Sequence, residues 1–274
     1  MRAVLCREWG GPESLRVEET ASRPLRPNEI RIRVQACGIN FADTLMIAGK
    51  YQVKPQFPFS PGLEAAGEII ETGSEVAHLR VGQRVMAYFR SGGAFAEEAV
   101  ADAKAAVPLP DRMDWAAAGG FPIIYGTSHY ALTRRGRLQP GETLLVLGAA
   151  GGVGLTAVEI GKQLGARVIA AAGSAEKLAV AREHGADETI DYTKESIRDG
   201  VRELTDGRGA DVVYDPIGGD AFDQALRAVN WKARMLVIGF AAGRIQAVPA
   251  NLILVKNISV IGWSGERRAS GTLS

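Results

Sequence analysis

The run Gly148-Ala149-Ala150-Gly151-Gly152-Val153-Gly154 follows directly on an apolar stretch, residues 143–147, and leads into residues with helical spacing. Small residues at such a junction let the backbone approach a pyrophosphate. The N-terminus of the helix offers unpaired N–H groups and the positive end of a dipole to the anion. A strand before and a helix after are the context in which a glycine motif binds a dinucleotide. Ala150, Gly151, Gly152 and Val153 are therefore candidate phosphate contacts, and Gly154 permits close packing of helix on strand. No Lys-Ser/Thr pair ends the motif, which excludes a Walker-type loop.

The second strand of such a unit selects the dinucleotide. An NAD site wants an Asp or Glu at its end to bond the ribose hydroxyls. Here the strand at residues 168–172 runs into Gly173-Ser174 with no acid. A carboxylate there would repel a 2′-phosphate, whereas Ser174 can donate to one and Lys177 adds positive charge one turn into the next helix. NADPH is the expected cofactor. The missing acid carries more of this argument than Lys177, because a helical lysine is usually just solvated.

Other chemistries lack their residues. There is no His-Glu-x-x-His and no cysteine pair of metal-ligand spacing, so a metal-dependent hydrolase is not indicated. There is no Gly-x-Ser-x-Gly elbow, and no tyrosine has a lysine four residues later. His129 reads as a residue filling a polar core position, and Asp43 as a helix cap.

These residues must be held by two kinds of architecture. Before about Gly120, short β-type runs at residues 3–6, 30–36, 65–71 and 84–88 alternate with Gly/Pro turns, which predicts a barrel-like, largely antiparallel domain. After about Pro140 the rhythm is strand then helix. Strands are expected at 143–147, 168–172, 189–191, 211–214, 234–239 and 258–261. Helices are expected at 152–164, 175–184, 196–204 and 220–229. Apolar strands alternating with helices predict a parallel sheet buried on both faces, a doubly wound α/β domain. Residues 115–133 are the expected hinge and first inter-domain helix.

Composition narrows the setting. The 274 residues are 46% hydrophobic and 23% charged, enough for one large or two ordinary domains. Lys and Arg number 32 against 31 Asp and Glu, so no basic footprint for nucleic acid or anionic membrane exists. Two cysteines, Cys6 and Cys37, exclude a disulfide scaffold and fit a cytoplasmic chain. The N-terminus has no apolar signal-peptide core, and no uncharged stretch is suited to span a membrane.

The segments Gly10-Gly11-Pro12-Glu13, Cys37-Gly38-Ile39-Asn40-Phe41-Ala42-Asp43, Pro58-Phe59-Ser60-Pro61-Gly62-Leu63-Glu64-Ala65-Ala66-Gly67 and the glycine loop together resemble the zinc-independent quinone oxidoreductases of the medium-chain dehydrogenase/reductase superfamily. The resemblance implies a GroES-like catalytic domain over residues 1–120 and a Rossmann NADP(H)-binding domain over 121–262. Zinc-dependent relatives carry a Cys ligand where Asn40 stands and a His where Leu63 stands, so no metal is expected. Cys37 then reads as a buried small hydrophobe.

The resemblance places Asn40 beside the nicotinamide ribose, and Thr127 and Tyr130 near the nicotinamide and phosphates. It matches Gly173, Ser174 and Lys177 to the adenosine-phosphate pocket, with Tyr192 stacking close by, and Gly239-Phe240 to a loop over the nicotinamide. Tyr51 matches an aromatic at the substrate mouth and is the one candidate proton donor or polariser. With Asn40 it makes up the candidate catalytic pair.

The implied activity is NADPH-dependent hydride transfer to a quinone or related α,β-unsaturated carbonyl, without zinc. An enoyl-thioester reductase of the same superfamily and a non-catalytic NADPH-binding protein remain open alternatives. The strand at residues 258–261, an apolar sheet edge, is where relatives join as homodimers, and a homodimer is expected. Residues 263–274 are polar and unlike the family, whose members continue further. The expectation is a C-terminally truncated chain that binds NADPH but turns over poorly.

Overall fold

Short strands whose alternate residues turn inward, broken by glycine and proline, build the first part of the chain. The computed structural model describes residues 1–262, so the atypical tail expected at 263–274 lies outside the described residues. Two compact units divide between Ile123 and Ile124.

The first unit comprises strands β1 (Arg2–Leu5), β2 (Arg16–Glu19), β3 (Glu29–Cys37), helix α1 (Phe41–Ile47), β4 (Glu64–Thr72), β5 (Arg84–Tyr88), β6 (Glu98–Asp102), β7 (Ala106–Pro108) and the short helix α2 (Trp115–Gly119). Five strands form an antiparallel sheet in the order β6-β3-β4-β5-β7, and β1 and β2 form a separate antiparallel pair. Ile30 and Ile32 of β3, Val85 and Ala87 of β5, and Ala99 and Ala101 of β6 share one core. Each fully buried branched side chain there contributes about 1.5–3 kcal/mol.

The strands β2, β6 and β7 were not expected from the sequence. Arg16-Val17-Glu18-Glu19 has no apolar run; it is a strand because β1 pairs with it. β6 pairs with β3 and turns Ala99 and Ala101 into the core, but two alanines are too weak an apolar signal to mark a strand. Cys37 corrects an expectation: it is exposed, and Cys6 is the buried thiol.

The chain passes into the second unit within α3 (Phe121–Tyr130), which ends in a wider π-helical turn, Ala131–Arg135. The expected single helix over 115–133 is thus interrupted, with Gly120 at the break after α2. Then follow β8 (Thr143–Leu147), α4 (Gly152–Gln163), β9 (Arg167–Ala172), α5 (Ala175–Glu183), β10 (Glu188–Asp191), α6 (Ile197–Leu204), β11 (Ala210–Asp215), α7 (Gly219–Arg227), β12 (Val229–Val237), α8 (Ala250–Lys256) and β13 (Ser259–Gly262). The six described strands are all parallel, in the order β10-β9-β8-β11-β12-β13.

Central strand β8 is buried along its whole length. Leu145 and Leu147 pack into the core on one face, and Leu144 and Val146 into the core on the other. This two-sided burial is why the strand is a continuous apolar run. β12 starts earlier than its apolar residues suggest, and its pairing with β11 shifts register between Ala210 and Val212. β13 lies at the sheet edge. No helix among the described residues is long and apolar enough to cross a membrane.

Candidate active site

The glycine loop sits where β8 ends, at the carboxyl edge at which open α/β sheets bind ligands. Gly148 takes φ +59°, a conformation that other residues rarely adopt. The loop is tied down by the Ala149 N–H donating to Ala171 O at 3.1 Å and the Gly151 N–H donating to Gly148 O at 3.0 Å. Gly151 caps α4 and brings no side chain to its first turn, so the leading N–H groups of the helix face outward without a protein cap. Gly151 and Gly152 are exposed, and Ala150 and Val153 half-buried. A Cβ on Gly154 would lie 2.3 Å from Gly148 O, so only glycine lets helix and loop close this tightly. This uncapped helix end behind a glycine cradle fits the pyrophosphate of a dinucleotide.

Next along the sheet edge, β9 leads into Gly173 and Ser174. The Ser174 hydroxyl oxygen caps α5 by accepting the Lys177 N–H at 3.3 Å, which leaves its own proton free to donate. Lys177 is exposed. Tyr192, after β10, lays its ring over Gly173, where a Cβ would meet the ring at 3.0 Å. The structure thus brings Gly173, Ser174, Lys177 and Tyr192 together at the end of β9.

Thr127 and Tyr130 are half-buried on α3. A hydroxyl cluster that the sequence did not suggest fastens this helix. The Ser128 hydroxyl donates to Val153 O at 2.9 Å and stands 2.8 Å from both Thr156 Oγ1 and the Tyr214 hydroxyl. All three side chains are buried. His129, expected in a polar core position, is exposed instead.

Gly239 and Phe240 follow β12. The Gly239 N–H donates to Asp215 O at 3.3 Å, and Phe240 is partly exposed. Asp215 itself was missed. Its fully buried carboxylate accepts the N–H groups of Ile217 at 2.9 Å and Gly218 at 2.8 Å through Oδ1, while Oδ2 has no partner among the described residues. Burial raises its pKa to about 6, against the pull of those two bonds. Ile217 touches the glycine loop, since a Cβ on Gly148 would come within 2.5 Å of it. An acid at a strand end, three residues before Gly218-Gly219, was the available signal.

In the first unit, Asn40 caps α1. Asp43, three residues on, supplies the returning half of the capping arrangement, its Oδ2 accepting the Asn40 N–H at 2.8 Å, while Oδ1 accepts the Gly62 N–H at 3.2 Å. The Asn40 Nδ2 donates to Glu64 Oε1 at 2.7 Å, and Glu64 Oε2 accepts the Ile123 N–H at 2.8 Å. Burial pushes both carboxyls up, and their hydrogen bonds oppose it. Leu63 is buried beside Cys6, Met46, Ile47 and Phe59, and half-buried Tyr51 packs on the same group. Ile39 and Phe41, which flank Asn40, are exposed.

Comparison with known proteins agrees with this architecture. Residues 26–111 match the alcohol dehydrogenase GroES-like domain, and residues 152–271 the zinc-binding dehydrogenase family. The chain is 45% identical over 263 residues to quinone oxidoreductase-like protein 2 homolog of Nematostella vectensis, covering 95% of this chain and 71% of that protein. It is 43% identical over 262 residues to quinone oxidoreductase-like protein 2 of Mus musculus, covering 95% and 74%. Among solved structures, the quinone oxidoreductase of Pseudomonas syringae pv. Tomato DC3000 superposes with a TM-score of 0.92 at 32% identity, covering 98% of this chain and 83% of that one. The Escherichia coli quinone oxidoreductase complexed with NADPH gives 0.89 at 32% identity, covering 96% and 81%. With a GroES-like unit, a Rossmann unit and relatives matched along nearly its whole length, the chain belongs to the quinone oxidoreductases of the medium-chain dehydrogenase/reductase superfamily.

Proposed function

We propose that this protein transfers hydride from NADPH to a quinone or a related α,β-unsaturated carbonyl without using zinc. The observation that carries the reading is the uncapped N-terminus of α4 behind a loop whose closeness depends on Gly154. Gly151, Gly152 and Val153 would hold the pyrophosphate, and Ser174, Lys177 and Tyr192 the adenosine end. NADPH, when bound, supplies the hydride. The exposed Ile39 and Phe41 beside Asn40 offer apolar surface suited to an acceptor ring. Support for zinc independence comes from the donors: Leu63 is apolar, and the Asn40 amide already donates to Glu64. Elemental analysis should find no stoichiometric zinc; about one zinc per chain would overturn that part of the reading.

NADPH oxidation measured against quinones, enones and enoyl thioesters tests the activity. Turnover with quinones is expected, and NADPH binding with no oxidation by any acceptor would make the protein a binder alone. Quinones accept hydride readily and can take their proton from water, whereas enones need their carbonyl polarised. Tyr51→Phe should therefore cost little with a quinone and about tenfold or more with an enone. Equal losses on both would mean that Tyr51 only packs.

Cofactor choice follows from the acid-free end of β9. Dissociation constants from titration should favour NADPH over NADH by about ten- to a hundredfold, the size of one charge-assisted phosphate contact. Lys177→Ala should erode that preference; an unchanged ratio would remove Lys177 from the site.

A further inference from the structure

Glu64 lies at the start of β4 with only 1% of its surface exposed. Space for its carboxylate exists because residue 38 is glycine: a Cβ there would come within 2.2 Å of Glu64 Oε1. Both oxygens are used, one by the Asn40 Nδ2 at 2.7 Å and the other by the Ile123 N–H at 2.8 Å. The Asn40 backbone is pinned independently by Asp43.

A carboxylate only accepts hydrogen bonds, whereas a carboxamide both donates and accepts. The amide of Asn40 must therefore turn its nitrogen, not its oxygen, toward Glu64. We propose that Glu64 is a positioning residue, which fixes the orientation of the Asn40 carboxamide toward the ligand that Asn40 meets. This rests on the reading of the protein as an NADPH-dependent reductase in which Asn40 serves the nicotinamide half of the cofactor.

The variant Glu64→Gln makes the idea sharp. The Ile123 N–H is a fixed backbone donor, so the introduced carboxamide must give it the amide oxygen. That turns the new NH₂ toward Asn40, where two amino groups would meet, and Asn40 must flip. Asn40→Asp alone sets two carboxylates face to face. The double variant Glu64→Gln/Asn40→Asp restores a donor–acceptor pair with the roles exchanged.

Three measurements test this on the whole chain. In ¹⁵N-edited NMR spectra without ligand, one side-chain amide proton of Asn40 should exchange slowly and shift downfield, and Glu64→Gln should abolish that signature. In titrations, Glu64→Gln should weaken NADPH tenfold or more while leaving adenosine 2′,5′-bisphosphate, which carries only the adenosine end, unchanged. In thermal melts, the double variant should be more stable than Asn40→Asp. An Asn40 amide signature that survives Glu64→Gln overturns the proposal, as does equal weakening of both ligands, or a double variant no more stable than Asn40→Asp. Wild-type protein that shows the amide signature but does not bind NADPH would sink the reductase reading while leaving the orientation of Asn40 by Glu64 standing.

Discussion

Gly154→Val is expected to damage folding and cofactor binding together. The added Cβ would stand 2.3 Å from Gly148 O and 2.9 Å from the Ala149 Cα, both backbone atoms that cannot swing away. Helix α4 must lift off the loop, which costs on the order of 1–3 kcal/mol as overpacking. Lifting also moves the N–H groups at the helix end away from where the proposed pyrophosphate would sit. NADPH affinity should fall at least tenfold, about 1.4 kcal/mol. Gly126→Ala is the control for stability: it lies exposed within α3, and an added Cβ would meet nothing within 4 Å. It should leave stability unchanged or raise it by about 0.5–1 kcal/mol, since alanine favours the helix. Thermal melts and NADPH titration read both variants. A Gly154→Val protein with wild-type melting and affinity would remove the close-approach argument.

Asp215 should make the protein less stable as pH rises through the acidic range. Its pKa is raised to about 6 by burial, whereas an aspartate in the unfolded chain titrates near 3.8. Between those values the folded state holds the proton more strongly than the unfolded state. Its stabilising effect is complete below about pH 4 and is lost by about pH 6, on the order of 3 kcal/mol in all. At pH 8 the buried carboxylate is ionised, with Oδ2 unpartnered among the described residues.

Asp215→Asn removes that charge. Its amide oxygen keeps the bonds from Ile217 and Gly218, and its NH₂ replaces the orphaned oxygen. Gln246 Oε1 is a second buried acceptor without a partner among the described residues, and it lies 2.9 Å from where a Gly218 Cβ would be. The variant should melt several degrees above wild type at pH 8, at about 2–4 °C per kcal/mol for a chain of this size. It should also lose the decline between pH 4 and 6. Lower stability at pH 8, or an unaltered pH profile, would show that the Asp215 charge is well accommodated.

How much of this was legible in the sequence differs between the two units. In the second, local pattern sufficed for most of the chain. A strand buried on both faces must be a continuous apolar run, as β8 is, and a helix that touches a loop backbone must carry glycine, as at Gly154. The missing acid after β9 is likewise a property of two or three consecutive residues. The apolar segment of α8 gave no such signal, because its short run reads equally as strand and only the turn around it settles the helix.

Strand β2 buries no side chain and is a strand through backbone pairing alone, while β6 buries only the small Ala99 and Ala101, so both needed partners that sequence does not name. The polar chemistry depends on distance along the chain even more. Asn40 meets Glu64 from 24 residues away, and Ser128 meets Tyr214 from 86. Each of those residues looks unremarkable alone. A buried polar group must find its partner wherever folding delivers one. Residue types and local spacing thus determined the glycine loop and the class of fold. Only tertiary packing decided which way Asn40 faces, that Asp215 Oδ2 finds no partner among the described residues, and that Cys37 and His129 lie at the surface, because those outcomes depend on which chain segments meet.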